Sequence, residues 1–159
     1  MPPTIFVFTT SYHPFLGGAE VAVQEIAKRL AGAIHFTIIT ARQRRDLPPR
    51  EERPEGTVIR VGAGIRADKF FLPLFGTIRT LWLIRERRPK LFWAVMVTWA
   101  SGIPYLVSIL RFWQRIPILL TLQEGDSEAH IRRSRGGLVG LSWRLLLSRT
   151  DQLQAISTY

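Results

Sequence analysis

The sequence predicts an α/β fold, in which a doubly wound parallel sheet of about six strands carries helices on both faces. The chain has 159 residues, a length typical of one domain. Short runs of β-branched and aromatic residues alternate with longer stretches of helical periodicity, as in strand–helix–strand units. Because crossovers between parallel strands are right-handed, such units build a Rossmann-like sheet.

The part of the chain up to residue 61 alternates between strand and helix patterns. Strands are predicted at 4–10, 35–41 and 57–61. From residue 19 to 31 the apolar side chains recur at helical spacing, and Gly32 suits a helix end. The polar segment 42–56 contains Pro48, Pro49 and Pro54 and is expected to be an exposed loop.

The remaining part continues the alternation. Strands are predicted at 91–97, 116–122 and 152–156. Helices are predicted over 74–88, from Ser101 to about Trp113, and over 138–148. Pro89 lies just beyond the first of these helices, and Ser101 is a candidate N-cap for the second.

Residues 91–110 form an uncharged run of twenty residues, which is long enough to span a bilayer. Polar and helix-breaking residues interrupt the run, and both flanks are basic, so no orientation is indicated. A buried strand followed by a buried helix is equally apolar, and we favour that interpretation. An integral membrane protein is the alternative. Since no signal peptide is recognisable, we expect a cytoplasmic protein.

The amino-acid composition excludes several kinds of site and indicates a preference for anionic partners. The chain has no cysteine, which excludes a disulfide scaffold, a thiolate zinc site and a cysteine nucleophile. Lys and Arg number 22 against 12 Asp and Glu, a net charge of +10 that should attract phosphates of a substrate, an anionic lipid or a nucleic acid.

Candidate ligand contacts lie in the loops that follow strands, because ligands of doubly wound sheets bind beyond the carboxyl ends of the strands. Gly17 and Gly18 open the first predicted helix, where free N–H groups favour an anion. The pattern is neither G-x-G-x-x-G nor a P-loop, and a tight turn with positive φ is the structural alternative. Glu20 suits the helix dipole, although its carboxylate could also hold a sugar hydroxyl.

The segment Tyr12-His-Pro-Phe-Leu-Gly-Gly-Ala-Glu20, set between a strand and a helix, resembles the start of family 4 glycosyltransferases. Further along, the stretch before Pro89 resembles their arginine-rich helix, and residues 118–126 resemble a strand with a short polar loop. Gln154-Ala-Ile-Ser157 resembles the strand that closes their first domain. The resemblance covers essentially all of residues 1–159, which we expect to be one acceptor-side domain, half of a two-domain GT-B architecture.

The resemblance implies retaining transfer of a sugar from a nucleotide-sugar donor, with no cofactor and no metal ion. It places Gly17 and Gly18 near the donor diphosphate and makes Ser157 a sugar contact. Gln123 falls where many members carry a histidine. This glutamine can hydrogen-bond a sugar hydroxyl but cannot act as a general acid or base, so the catalytic residue is unassigned.

Three further side chains are candidate contacts. Glu124 and Asp126 form an acidic pair that suits a sugar hydroxyl, with magnesium or manganese binding as the alternative. A solvated turn is the plainer interpretation of this pair. His13, in the first loop, is a candidate acceptor contact or an ordinary surface residue.

Aromatic and basic residues mix in two places, one at 69–88 and one at 99–115. Such mixtures suit an anionic membrane surface on the inner face of the cell membrane and a lipid-linked or other sugar acceptor. A core-facing helix with an arginine-covered outer face is the alternative.

Residues 1–159 resemble only the acceptor-side domain of this family. The chain is therefore expected to be inactive alone and to need the donor-binding domain in cis or from a partner subunit. The competing hypothesis is a non-catalytic module that binds phosphates or nucleic acid. No helix-turn-helix, zinc finger or ribonucleoprotein motif supports it, so no nucleic-acid partner is expected.

Overall fold

A computed structural model describes residues 2–111, 113–122 and 144–155. Its centre is a seven-stranded sheet with the strand order β3-β4-β2-β1-β5-β6-β7. The strands are β1 (Thr4–Phe8), β2 (His35–Ala41), β3 (Arg50–Arg53), β4 (Gly56–Val61), β5 (Leu91–Val95), β6 (Ile118–Leu122) and β7 (Gln152–Ala155). All neighbouring pairs are parallel except β3 and β4.

Among the described residues, three helices of nine or more residues cover the two faces of the sheet. They are α1 (Gly18–Arg29), α2 (Asp68–Arg87) and α3 (Gly102–Leu110), the last preceded by a 3₁₀ turn at Trp99–Ser101. On one face α1 packs Val23 and Ala27 against β1 and its neighbours. On the other face α2 and α3 pack against alternate residues of the same strands, among them Phe6 and Phe8. The predicted doubly wound α/β fold is confirmed.

The apolar run 91–110 is not a membrane span. It folds as β5, the 3₁₀ turn and α3, and β5 lies in the middle of the sheet between β1 and β6. Among the described residues, no helix is both long and apolar enough to cross a bilayer. The strand-then-helix interpretation of this run is therefore confirmed.

Strand β3 corrects the prediction that 42–56 is only a loop. Its sequence, Arg-Glu-Glu-Arg, has no apolar pattern, so nothing in the segment itself predicts a strand. The strand forms because β4 offers an open edge, reached through a two-residue connection. Charged side chains are also typical of edge strands, where they oppose pairing with another chain.

The starts of two helices also differ from the predictions. α2 begins at Asp68, ahead of the predicted 74, and accommodates Pro73 within its first two turns. Ser101 is the N-cap residue of α3 as predicted, but its side chain makes no capping hydrogen bond, because its hydroxyl donates to the Thr98 carbonyl at 2.7 Å. The helix predicted at 138–148 lies mostly outside the described residues, which show only 144–147 as helical.

The hairpin of β3 and β4 depends on a glycine. Gly56 has a φ of +143°, and a Cβ there would lie 2.3 Å from the carbonyl oxygen of Phe36 on the neighbouring strand. We expect Gly56→Ala to be strongly destabilising, since the backbone strain alone costs about 1–3 kcal/mol and the clash adds to it.

Urea denaturation would measure this change, with Gly18→Ala as the matched control. A Cβ at Gly18 meets no atom within 4 Å, so the control should shift the free energy of unfolding by no more than about 0.5 kcal/mol. Equal effects of the two substitutions would contradict the assignment.

The amino edge of the sheet holds a histidine that is kept neutral. Arg87 donates from Nη1 to Nε2 of His35 at 2.6 Å. Burial and the charge of Arg87 together lower the pKa of His35 below its ordinary value of about 6.5. Because an arginine can only donate, this contact requires the imidazole nitrogen to be unprotonated.

This contact predicts a loss of stability in mild acid. The unfolded chain takes up the proton on His35 at a higher pH than the folded chain does. The stability that His35 contributes is therefore complete above about pH 6.5 and is lost as the pH falls through the folded-state pKa. The difference in unfolding free energy between wild type and His35→Gln should shrink between pH 7.5 and 5.5, and parallel profiles would contradict it.

Candidate functional site

The carboxyl ends of β1, β2 and β5 meet at one edge of the sheet, where Thr10 joins them. The Thr10 carbonyl accepts hydrogen bonds from the Thr40 hydroxyl and the Gln43 amide, each at 3.2 Å. Its hydroxyl accepts from the backbone N–H of Ala100 at 3.4 Å. Gln43 also donates to the Ser11 hydroxyl at 2.9 Å. The end of β1 is thus fixed to the loops after β2 and β5.

The predicted Gly-Gly loop forms the start of α1 at this edge. Gly17 is the N-cap, with an extended backbone (φ −101°, ψ −175°). Its N–H donates to Oε2 of Glu20 at 2.9 Å, and the Thr9 hydroxyl donates to Oε1 of the same carboxylate at 3.2 Å. The backbone φ is negative at Gly17 and is not in the positive range at Gly18. The alternative of a tight turn with positive φ is therefore wrong.

The two glycines have different roles. A Cβ on Gly17 would lie 2.8 Å from Oε2 of Glu20, so a glycine here leaves room for the capping carboxylate. Gly18 is exposed, with open space where a side chain would be. Its N–H and that of Ala19 make no hydrogen bond to any residue in the described ranges. This end of α1 can therefore offer two amides to an anion, beside a carboxylate that already occupies part of the helix terminus.

A second group of backbone amides lies in the loop after β4. Asp68 accepts hydrogen bonds from the N–H groups of Ala63, Gly64 and Ile65, at 2.7 to 3.1 Å. Gly62, with a φ of +121°, leaves room for that carboxylate, because a Cβ there would lie 2.3 Å from it. These amides are satisfied from within the chain, so they do not serve as an anion site.

His13 lies beside this edge but is held by arginines of the hairpin. Its Nδ1 is 3.2 Å from Nη1 of Arg53, and its carbonyl accepts a hydrogen bond from Arg60 at 2.8 Å. Glu51 accepts from both arginines, at 2.9 and 2.7 Å. Burial alone would raise the pKa of Glu51, but the hydrogen bonds and charges of Arg60 and Arg53 hold it below its ordinary value.

A buried pair extends this network beneath the first loop. The Tyr12 hydroxyl donates to Oε1 of Glu55 at 3.2 Å, and Arg53 and Gln24 donate to the same oxygen. Burial and the charge of Glu55 raise the pKa of Tyr12 far above its ordinary value, so the phenol stays protonated. The network pins the loop before α1 between that helix and the β3–β4 hairpin.

The structure brings four of the predicted contacts to one edge: Gly17, Gly18, Glu20 and, turned toward the hairpin, His13. The other four, Gln123, Glu124, Asp126 and Ser157, lie outside the described residues. In the described ranges no three His, Asp or Glu side chains group as metal ligands.

Sequence reasoning missed three residues that shape this edge: Thr10, Gln43 and Thr98. Thr98 follows β5, and its buried Oγ1 makes no hydrogen bond to a residue that the structure describes. Buried hydroxyls ordinarily have a hydrogen-bond partner, and a bound ligand can supply one. The only feature of the sequence that could have indicated Thr10, Gln43 and Thr98 is their position shortly after the end of a strand.

Comparison with known proteins identifies the family of the chain. Residues 17–159 match the family model of the glycosyl transferase 4-like domain. A search of curated protein sequences finds no match.

Solved structures show the same fold at low identity. Sucrose-phosphate synthase from Thermosynechococcus elongatus superposes with a TM-score of 0.70 at 16% identity, over 96% of this chain and 42% of that one. UDP-GlcNAc 2-epimerase from Methanocaldococcus jannaschii gives 0.56 at 14% identity, over 99% and 40%. The chain thus spans less than half the length of these two structures. Since the family model covers nearly all of the sequence and the GT-B neighbours share its fold, the chain belongs to the glycosyl transferase 4-like family, as a domain of the N-terminal GT-B type.

Proposed function

We propose that this domain is the acceptor-side half of a retaining glycosyltransferase, which moves a sugar from a nucleotide-sugar donor to an acceptor without a metal ion. The observation that carries the proposal is the open N-terminus of α1 at Gly18, which lies at the carboxyl edge of the sheet. The chain belongs to the glycosyl transferase 4-like family, and the nucleotide-sugar donor that we propose carries phosphates. Helix N-termini with free amides stabilise phosphate groups, and a donor diphosphate needs such a partner.

The roles of the side chains follow from their chemistry. The amides of Gly18 and Ala19 would approach the diphosphate, while Glu20, already fixed by Thr9, would accept a hydrogen bond from a sugar hydroxyl. His13 and Thr98 are further residues that we assign to contacts with sugar hydroxyls at this edge. We assign Gln123, Glu124, Asp126 and Ser157 to sugar contacts as well, since in the sequence they come after β6 and β7, and ligands of such sheets bind beyond the carboxyl ends of the strands.

Ligand binding at this edge supplies only part of what sugar transfer requires. No acid or base for the sugar-transfer step is assigned within the described residues, so we place the donor-binding carboxylates on a second domain, in cis or on a partner subunit. The acceptor that we favour is lipid-linked or a cell-envelope glycan, on the cytoplasmic side of the membrane. The transferred sugar is of the hexose type.

Gly18→Val tests the phosphate contact. A branched side chain at Gly18, where an added Cβ meets no atom within 4 Å, would block the helix N-terminus. In the protein expressed from its complete reading frame, we expect sugar transfer to fall about a hundredfold, the scale on which lost backbone hydrogen bonds to a developing charge act. Transfer of labelled sugar from a nucleotide donor to a lipid extract is the measurement.

Two controls accompany this test. Ala33→Val adds a similar side chain at an exposed position beyond the other end of α1 and should leave transfer unchanged. The isolated 159-residue chain should give no transfer. Activity of Gly18→Val equal to that of the control, with an unchanged thermal midpoint, would contradict the assigned role of this glycine.

The metal-free mechanism has a separate test. Transfer in the presence of EDTA should equal transfer with added Mg²⁺ or Mn²⁺, because hydrogen-bond donors of the protein, and not a cation, balance the diphosphate charge. The anomeric configuration of the product, measured by NMR, should match that of the donor. Loss of transfer in EDTA that Mn²⁺ restores in wild type, but not in Asp126→Asn, would instead make Glu124 and Asp126 metal ligands.

A further inference from the structure

The outward face of α2 is apolar where a surface helix is ordinarily polar. Five large side chains at helical spacing lie along it, and between 50% and 61% of each is exposed. They are Phe71, Leu74, Phe75, Ile78 and Trp82. The opposite face of the same helix already packs Leu72 and Leu83 into the core. The helix is therefore apolar on two faces, and only one of them is covered by the described part of the chain.

A basic pocket of about 630 Å³ lies where this face reaches the amino edge of the sheet. The cationic side chains that line it come from the last turn of α2, the connection from α2 to β5 and the connection after α3: Arg85, Arg88, Lys90, Arg111 and Arg115. Arg115 pairs with Asp151. In the described ranges Arg85, Arg88 and Lys90 form no ion pair, so the pocket retains a positive charge.

Apolar side chains continue from the helix around this pocket. Leu110 is 53% exposed and Trp113 is 65% exposed, and both line a smaller depression together with Arg85 and Arg111. The same two arginines also line the basic pocket. Arg85 lies one helical turn beyond Trp82 on α2, so the apolar face of this helix, Leu110, Trp113 and the cations form one continuous surface, which we call the α2 surface.

We propose that the α2 surface docks on a membrane rich in anionic phospholipids, with lipid phosphates in the basic pocket and the apolar side chains of α2 at the level of the acyl-chain boundary. Amphipathic helices with aromatic and aliphatic residues beside arginines bind such interfaces in this way. The two kinds of contact reinforce one another, since each basic residue near an anionic surface adds attraction while apolar burial holds the helix in place.

The charge of the surface decides among occupants. A second copy of this chain would bring another protein of net charge +10, with the same cations facing one another across a twofold contact. A nucleic acid would satisfy the arginines but would leave the row from Phe71 to Trp82 exposed to water. An anionic bilayer satisfies both parts of the surface.

Sedimentation with lipid vesicles tests the proposal on the 159-residue chain, independently of sugar transfer. We expect binding to vesicles of phosphatidylcholine with phosphatidylglycerol and little binding to phosphatidylcholine alone. The partition coefficient should fall as salt rises from about 0.1 to about 1 M, as the Debye length shrinks from ~10 to ~3 Å. Failure to bind anionic vesicles at low salt would overturn the proposal and leave the transferase function untouched.

Paired variants separate the two contributions. Phe75→Ser with Trp82→Ser, and Arg85→Glu with Arg88→Glu, should each lower the partition coefficient at least about tenfold. Arg85→Lys with Arg88→Lys keeps the charge and should bind nearly as wild type does. The matched control is Arg29→Glu with Leu30→Ser, which changes an exposed basic and apolar pair on α1, across the sheet. Equal losses in the control would overturn the assignment.

Two further readouts decide against the other occupants. All the substituted side chains are exposed, so we expect every variant to fold. Thermal melts would check that each one does. Light scattering should show a monomer whose mass is independent of concentration. A dimer that Phe75→Ser with Trp82→Ser dissociates would overturn the membrane proposal. Tight binding of duplex DNA that removes the protein from anionic vesicles, and that only the arginine substitutions abolish, would overturn it too.

Discussion

A central strand that is buried on both faces constrains the rest of this structure. β1 lies between β2 and β5, with Phe6 and Phe8 facing α2 and α3 and Val7 facing α1. A strand of this kind needs helices on both sides, and parallel neighbours require crossovers that return every strand in the same direction. All the parallel strands therefore end at one edge, where Thr10 joins three of them. The site is a consequence of how β1 is buried.

Two carboxylates complete that edge from within the chain. Glu20 takes the N–H of Gly17, and Asp68 takes three amides after β4. Both serve groups that a helix or loop would otherwise leave without partners. The two carboxylates differ in their exposure and surroundings: Asp68 is buried, while Glu20 is half-buried and lies beside the amides of Gly18 and Ala19, which have no partner in the described ranges. An anion that reached α1 would meet the charge of Glu20, so the hydrogen bonds that the free amides donate must outweigh this repulsion.

How much of the fold was predictable depends on whether each signal is local. β2 was predicted at its observed bounds, because a run of β-branched residues in the core needs no distant partner to be recognised. β3 was not predicted, since its charged residues show no apolar pattern and form a strand only by pairing with the edge that β4 offers. The ring of His13 faces Arg53, forty positions along the chain. Spacing within a segment cannot encode such a contact.

The two proposed surfaces are linked by one helix. α2 begins after β4 at the carboxyl edge and ends before β5 at the amino edge, and its 20 residues span about 30 Å. A membrane that contacts the whole row from Phe71 to Trp82 would lie along the sheet and not beneath one edge. The carboxyl edge would then open sideways, close to the bilayer surface. A lipid-linked acceptor could reach such an edge without leaving the membrane, whereas a water-soluble acceptor would gain nothing from this orientation.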